Sequence, residues 1–382
     1  MNSKTKYWVW LSLIVSPGTE TQEILGAFPD PEELYNLSPE KRLEPRVFTV
    51  GQKAKLSKIM LSDAEQIIEV CKKNGWDICT PADDAFPENL KRLKNMPIVL
   101  YVDGDLSRIK GKISIGVVGT RNPSRESVCV ARTIAGDLAQ AGAAVISGGA
   151  LGIDSAAHEG ALESNGVTVS VLGCGLGTRY LSRNEATRKR IRETGAIISE
   201  FPPFTSASRF TFPIRNRIVS GISHGVLVVE AGEKSGSLIT ASRAKEQGRE
   251  VFAIPGSVLD SAYTGANRLI MDGAKAVMNA KDILSPYAAM YPDIIDISHM
   301  RVTKPVLEEP EEEKSVKIKK EAPSALDPDQ LTVYNLFGDK PLYADDIIEQ
   351  SGLRPPKVIA SLMRLEMLDL IEQTDGKAYI LK

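Results

Sequence analysis

The chain has 382 residues, enough for two to three domains at about 150 residues each. Hydrophobic residues make up 42% and charged residues 25%, ordinary globular values that exclude wholesale disorder, a collagen-like fibre and a disulfide mini-scaffold. Lys+Arg 47 against Asp+Glu 49 leaves a formal net charge of -2, so total charge singles out no partner.

Residues 1–110 read as mostly helical. Leu11, Ile24, Leu25, Leu34, Leu37, Ala64, Ile67, Ile68 and Val70 supply apolar faces between Pro, Asp and Ser punctuation. Lys4 and Lys6 ahead of Tyr7–Val15 superficially match a secretory leader. That run is short, stops at Pro17 and meets Glu20 and Glu23 without a small-residue cleavage site; a buried first helix is expected. No other stretch reaches the ~20 apolar residues of a membrane span, so no membrane contact is expected.

Residues 111–287 alternate short apolar runs with helical patterns. The runs are Ile113–Val118, Ala143–Ser147, Val167–Leu172, Ala196–Ser199, Val226–Glu230, Val251–Ile254 and Lys275–Met278. Short, nearly all-apolar, glycine-bounded runs are what parallel strands covered on both faces require. The segments Val128–Ala141, Asp154–Ser164 and Leu238–Gln247 have helical length and spacing. The fold class is therefore α/β, a doubly wound parallel sheet of Rossmann-like type.

Residues 288–326 carry Glu-Glu-Pro-Glu-Glu-Glu at 308–313 and Lys-Ile-Lys-Lys at 317–320, a charged linker. Residues 327–382 then give a helix around Val333, Leu336 and Phe337, a second over Ala344–Gln350, a turn at Ser351-Gly352-Leu353 and a third helix over Lys357–Leu368. Leu370–Gln373 and Ala378–Leu381 around Asp375-Gly376 read as a hairpin. Helix, helix-turn-helix and hairpin describe a winged helix.

Ligands of a doubly wound sheet sit beyond the carboxyl ends of its strands. Three segments there are rich in small residues: Gly119-Thr120-Arg121-Asn122, Ser147-Gly148-Gly149-Ala150 and Ser235-Gly236-Ser237. Glycines admit close backbone approach, and free N–H groups at a helix start attract anions. Tight strand-to-helix turns explain any one of these glycines equally well. The first turn lacks a full G-x-G-x-x-G, no acid ends the second strand, and G-x-x-x-x-G-K-[ST] is absent, which argues against ordinary dinucleotide or ATP binding.

Charge separates the possibilities further. Residues 111–285 hold 20 Lys+Arg and 15 Asp+Glu, a net of +5 within a chain of net -2. Arg179, Arg183, Arg188, Lys189, Arg190 and Arg192 follow the third strand, and Arg209, Arg215 and Arg217 follow the fourth. A charge run is often only a solvated face, but these lie on the rim of the glycine turns and favour a polyanion. In Arg209-Phe210-Thr211-Phe212-Pro213-Ile214-Arg215-Asn216-Arg217 rings alternate with cations, the combination that binds unstacked bases and phosphates of single strands. Alternation would put Phe210 and Phe212 on one side, with one of them in the core.

Catalytic machinery is sparse. H-E-x-x-H is absent, and no catalytic set is expected. Asp154 and His158 are spaced to share a helix face, beside Ser155; a helix cap and a packed histidine are the commoner arrangement. Glu200 and Glu230 end strands, where a base could stand; tethering Arg215 or Arg217 is the preferred reading. Cys71, Cys79, Cys129 and Cys174 show no C-x-x-C pairing, and with His158, His224 and His299 they assemble no tetrahedral metal set. No metal or cofactor is expected, and unpatterned cysteines fit a reducing cytoplasm.

Gly116–Asn122 (Gly-Val-Val-Gly-Thr-Arg-Asn), Ser147–Leu162 (Ser-Gly-Gly-Ala-Leu-Gly-Ile-Asp-Ser-Ala-Ala-His-Glu-Gly-Ala-Leu), Phe212–Gly221, Ser235–Ala241 and Gly248–Gly256 occur in order. Together they resemble the DNA-processing protein A family, also called DprA or Smf. The likeness extends more loosely to Phe86-Pro87 and Met96-Pro97, and to the order of a helical (SAM-like) domain, a Rossmann-like domain and a winged helix. It implies a bacterial, non-enzymatic protein that binds single-stranded DNA and loads RecA recombinase onto it, as in natural transformation, and that dimerises through the Rossmann-like domain. By position it implies DNA contacts from Arg121, from Arg209 as a phosphate ligand and from Phe212 as a base-contacting ring. Gly119, Ser147, Gly148, Gly149, Arg179, Arg183, Arg215, Asn216, Ser235, Gly236 and Ser237 complete the expected surface.

Two departures stand out. The family's Tyr-Pro-x-x-Asn reads Tyr180-Leu181-Ser182-Arg183-Asn184, so Arg179 or Arg183 must replace a lysine there. Ser16-Pro17-Gly18-Thr19-Glu20 lacks a Gly-Ile-Gly-like hairpin. The competing reading is a nucleotide or nucleoside hydrolase on the same scaffold, but its Pro-Gly-Gly-x-Gly-Thr pattern is missing. A duplex-binding regulator built on the winged helix is disfavoured because Lys357 and Arg364 are offset by Glu366 on the would-be recognition helix.

Overall fold

The computed structural model describes residues 3–178, 185–295, 297–298, 300–307, 326–338, 342–373 and 378–381. Arg179, Arg183 and the Tyr180–Asn184 motif, His299, most of the charged linker and the Asp375-Gly376 turn lie outside the described residues. Two compact units emerge, residues 1–307 and 308–382.

The first unit is built on a nine-stranded sheet. Its strands are β1 (Asp77–Cys79), β2 (Leu100–Gly104), β3 (Ser114–Val118), β4 (Ala144–Ser147), β5 (Thr168–Val171), β6 (Ala196–Ser199), β7 (Gly225–Val228), β8 (Glu250–Ala253) and β9 (Lys275–Ala276). The spatial order is β1-β2-β6-β5-β4-β3-β7-β8-β9. Strands β3 to β9 pair in parallel, and β2 joins β6 antiparallel. All seven runs read from the sequence are strands, within a residue or two of their expected ends. Strands β1 and β2 are the difference: the segment expected to be mostly helical also widens the sheet by two strands.

Strand alternation divides the core. Ile115, Val117, Val145, Leu227 and Phe252 face the helices Arg125–Gln140, Ile153–Glu163 and Ala280–Met290. Val118, Ile146, Val169, Val226 and Val228 face the helices Thr211–Ile222 and Ser237–Glu246. Burial on both faces explains why the central strands β3 to β7 carry no charged residue, and their Ser and Thr side chains are buried with the rest. Ahead of the sheet, short helices gather round the helix Thr5–Val15, whose Trp8, Val9, Trp10, Leu11 and Ile14 are buried. The expected buried first helix is therefore present. Among the described residues no helix is long and apolar enough to cross a membrane.

The second unit has helices Pro328–Leu336, Ala344–Ser351 and Pro355–Met367 over a small sheet of β10 (Leu342–Tyr343), β11 (Ile371–Gln373) and β12 (Ala378–Leu381), in the order β10-β12-β11. Val333, Phe337, Ile347, Val358, Leu362, Leu365 and Ile371 form its core. This is a winged helix.

Candidate nucleic-acid interface

The chain runs from β3 outward through β4, β5 and β6, then returns to lay β7 on the other side of β3. Neighbouring strands β3 and β7 thus send their connections in opposite directions, which opens a crevice at their carboxyl ends. A cavity of about 600 Å³ occupies this place. Gly119, Arg121, Arg209, Phe212, Arg215, Asn216, Ser235, Gly236 and Ser237, drawn from three separate segments, all line it.

The first wall follows β3. A side chain on Gly119 would bring Cβ to 2.5 Å from Ile153 and 3.0 Å from the Glu230 carbonyl, so the turn can pass only as glycine. Arg121 emerges from it exposed. Ser124 then caps the Arg125–Gln140 helix by accepting from the Ser127 N–H (3.1 Å). Ser124 also donates both its N–H (3.0 Å) and its hydroxyl (2.9 Å) to the Glu230 carboxylate. Glu230 therefore tethers neither Arg215 nor Arg217; it ties the end of β7 to the turn after β3.

The segment after β4 forms the floor of the cavity, which Ala150 and Asp154 line. The Ser147 hydroxyl donates to the Val117 carbonyl (2.6 Å). Gly149 has φ +65, and a Cβ there would overlap Ser170. A Cβ on Gly148 would overlap the Arg215 guanidinium. Ser147, Gly148 and Gly149 are buried, so the expected cradle of exposed N–H groups is here a packed floor.

Arg215 is the brace of that floor. It sits in the first turns of the Thr211–Ile222 helix, 5% exposed. Its guanidinium donates to the carbonyls of Gly148 and Val171, and its Nε to Asn216 Oδ1 at 3.0 Å. Asp154, in the first turn of the Ile153–Glu163 helix, accepts from the Ala150 N–H (3.2 Å). Burial pushes its carboxyl above the usual range while Arg215 pulls it back. His158 does not pair with Asp154: its Nδ1 meets the Thr168 hydroxyl at 2.8 Å, and that hydroxyl donates to the Val145 carbonyl. Burial holds the imidazole neutral, with a pKa pushed down to about 3.

The two phenylalanines part company. The helix starts at Thr211, so helical spacing replaces the expected alternation. Phe210 stands 67% exposed with the Arg209 guanidinium 4.8 Å over its ring. Phe212 turns into the wall, half-buried, where the Arg121 guanidinium lies 4.8 Å and that of Arg215 5.9 Å from its ring centroid.

The third wall is the start of the Ser237–Glu246 helix. Ser235 and Ser237 bond through their hydroxyls (2.8 Å), and the Asn216 side-chain amide donates to the Gly236 carbonyl (3.4 Å). Lys234, exposed in this wall, was not singled out in the sequence; a lysine inside a Gly/Ser turn at a helix start is the signal that marks it. The basic run after β5 contributes less than its composition implied. Arg188 is buried, and Arg192 pairs with Glu185 and, at 3.5 Å, with Asp103. Glu200 accepts two bonds from Arg217, each at 2.5 Å, the tether foreseen for it.

A switch-point cavity with three exposed cations, a half-buried aromatic ring and a helix start in its walls places a positively charged crevice on an α/β domain. Comparison with known proteins narrows the class. The family profile described as DNA recombination-mediator protein A matches residues 77–288, and that of the DprA winged helix domain matches residues 317–377. The DNA processing protein DprA of Bacillus subtilis (strain 168) is 38% identical over 218 residues, covering 57% of this chain and 73% of the relative. That of Streptococcus pneumoniae is 40% identical over 206 residues, covering 54% and 72%. The X-ray structure of the Streptococcus pneumoniae protein superposes with a TM-score of 0.63 at 30% identity, covering 75% of this chain and 98% of that one. The Helicobacter pylori DNA processing protein A, solved for its single-stranded DNA binding mode, gives 0.51 at 29% identity, covering 56% and 97%. The chain belongs to the DNA processing protein A (DprA/Smf) family of DNA recombination mediators.

Proposed function

We propose that this protein binds single-stranded DNA in the cavity between β3 and β7 and delivers it to RecA recombinase, acting in the cytoplasm as a homodimer and without catalysis. The observation that carries the reading is the convergence of Arg121, Arg209 and Lys234, all exposed, around Phe212 at the switch point. Cations there meet phosphates and the ring meets an unstacked base. The Helicobacter pylori relative, with its single-stranded DNA binding mode, supports the choice of ligand. Arg215 belongs to this reading as the support beneath Phe212, with its Nη1 donating to the Gly148 and Val171 carbonyls. A residues 111–287 core, preceded by a helical domain and followed by linker and winged helix, is the proposed division of the chain.

The hydrolase alternative has less support. Of the carboxylates in the wall, Asp154 is buried beside Arg215 and Glu233 faces solvent, and His158 is turned to Thr168. The decisive experiment is an anisotropy titration of oligo-dT against Arg121→Ala combined with Arg209→Ala. The double variant should bind at least about tenfold more weakly; unchanged affinity refutes the placement. Delivery to RecA is read separately, as filament nucleation on DNA coated with single-strand-binding protein.

A further inference from the structure

Two large aromatic rings stand in solvent just outside the cavity. Phe204 is 65% exposed and Phe210 is 67% exposed, a high degree for side chains that ordinarily bury most of their surface. Both belong to the connection from β6 to the Thr211–Ile222 helix, so no more than about 20 Å of chain separates them.

Neither ring hangs on loose chain. The Gly175 N–H donates to the Thr205 carbonyl (2.8 Å) and the Gly177 N–H to the Pro203 carbonyl (2.7 Å), which zips the Phe204 loop to the one after β5. Gly177 lies so near the ring that a Cβ there would come within 2.5 Å of it. Phe210 is set by Ser208, whose hydroxyl accepts from the Phe210 and Thr211 N–H groups, each at 3.3 Å. The backbone under both phenylalanines is thus held in place, so little loop entropy remains to be lost when a ligand meets them.

The surroundings decide what such rings are for. A protein-docking patch would be contiguous and apolar. Here the intervening residues are Thr205-Ser206-Ala207-Ser208-Arg209, mostly polar and ending in a cation. Arg209 is at once part of the cavity wall and the guanidinium over Phe210, so the feature is continuous with the cavity. An isolated ring with a cation beside it suits one unstacked base and its phosphate.

Building on the single-strand reading above, we infer that Phe204 and Phe210 form an outer stacking platform for bases of the strand as it leaves the cavity. They lengthen the footprint beyond Phe212, and they add affinity only for strands long enough to reach them.

The test uses the full chain and oligo-dT of about six and about twenty nucleotides. Combined Phe204→Ala and Phe210→Ala should weaken the long strand about tenfold or more and leave the short one unchanged. Phe210→Trp should keep the affinity and gain a fluorescence quenched by the long strand only. A long strand made abasic beyond its first few nucleotides should bind wild type and the double alanine variant alike. Equal long-strand affinity for wild type and the double alanine variant overturns the platform, as does a loss that persists on the abasic strand. If that happens while Arg121→Ala with Arg209→Ala still weakens both lengths, the cavity reading survives alone. A wild-type chain that binds neither length overturns both.

Discussion

Arg215 and Arg217 lie two positions apart on one helix, and both are taken out of water, for different purposes. Arg215 spends its donors on carbonyls at the ends of β4 and β5; Arg217 meets the Glu200 carboxylate, with side chains 3% and 8% exposed. Removing one member of a buried pair leaves an uncompensated charge. Glu200→Gln should therefore lower stability by about 3–5 kcal/mol in a urea melt, whereas Glu200→Leu combined with Arg217→Leu should recover much of the loss. His158 carries the clearest pH signature. Its folded pKa of about 3 lies below the ordinary 6.5, so the unfolded chain takes up the proton first. Its contribution is complete above pH 6.5 and falls by about 1.4 kcal/mol per unit as the pH drops from there towards 3. Chemical denaturation at stepped pH should show His158→Gln losing about one proton's worth of that slope between pH 6 and 4, relative to wild type; identical slopes would exclude the buried neutral imidazole.

Among the elements, the helices Arg125–Gln140 and Ile153–Glu163 approach so closely that a side chain on Gly160 would overlap the Arg132 carbonyl. Overpacking against backbone cannot be relieved by a rotamer change. Gly160→Ala should cost about 1–3 kcal/mol by thermal or urea unfolding, with little effect on oligo-dT affinity at temperatures where the variant is folded. The strands of this layer could be read from sequence because parallel strands buried on both sides show as short, largely apolar runs bounded by glycine. Strands β1 and β2 could not: Asp77–Cys79 has three residues, and Leu100–Gly104 is an antiparallel addition amid helical patterns. Segments of the cavity were legible through glycine and arginine spacing. What escaped was which side of the backbone each side chain takes, since that depends on where the Thr211 helix begins and on partners distant in sequence. Hence Phe210 and Phe212 diverge, Arg215 goes inside, Glu230 is claimed by Ser124, and Phe204 leaves no motif at all.

At the level of the whole molecule, charge is segregated. The chain is net -2, yet residues 111–285 are net +5, and the cavity carries Arg121, Arg209 and Lys234 in the open. Each phosphate contact on a single strand contributes about 0.7 to the log–log salt slope. Three such contacts predict a slope near −2 for a short oligo-dT, falling to about −0.7 in the Arg121→Ala, Arg209→Ala variant, measured by anisotropy across about 50 to 200 mM salt. A flat wild-type slope would mean that the exposed cations are not the contacts. Because phosphates carry no base identity, mixed-sequence and oligo-dT strands should show similar slopes.

The bonds from Ser124 to Glu230 have a consequence for how a guest enters. They join the turn after β3 to the end of β7, so the two halves of the sheet are sutured at the mouth between them. Spreading the crevice there would strand the Glu230 carboxylate without the two donors it accepts from, so its width is held by the fold itself.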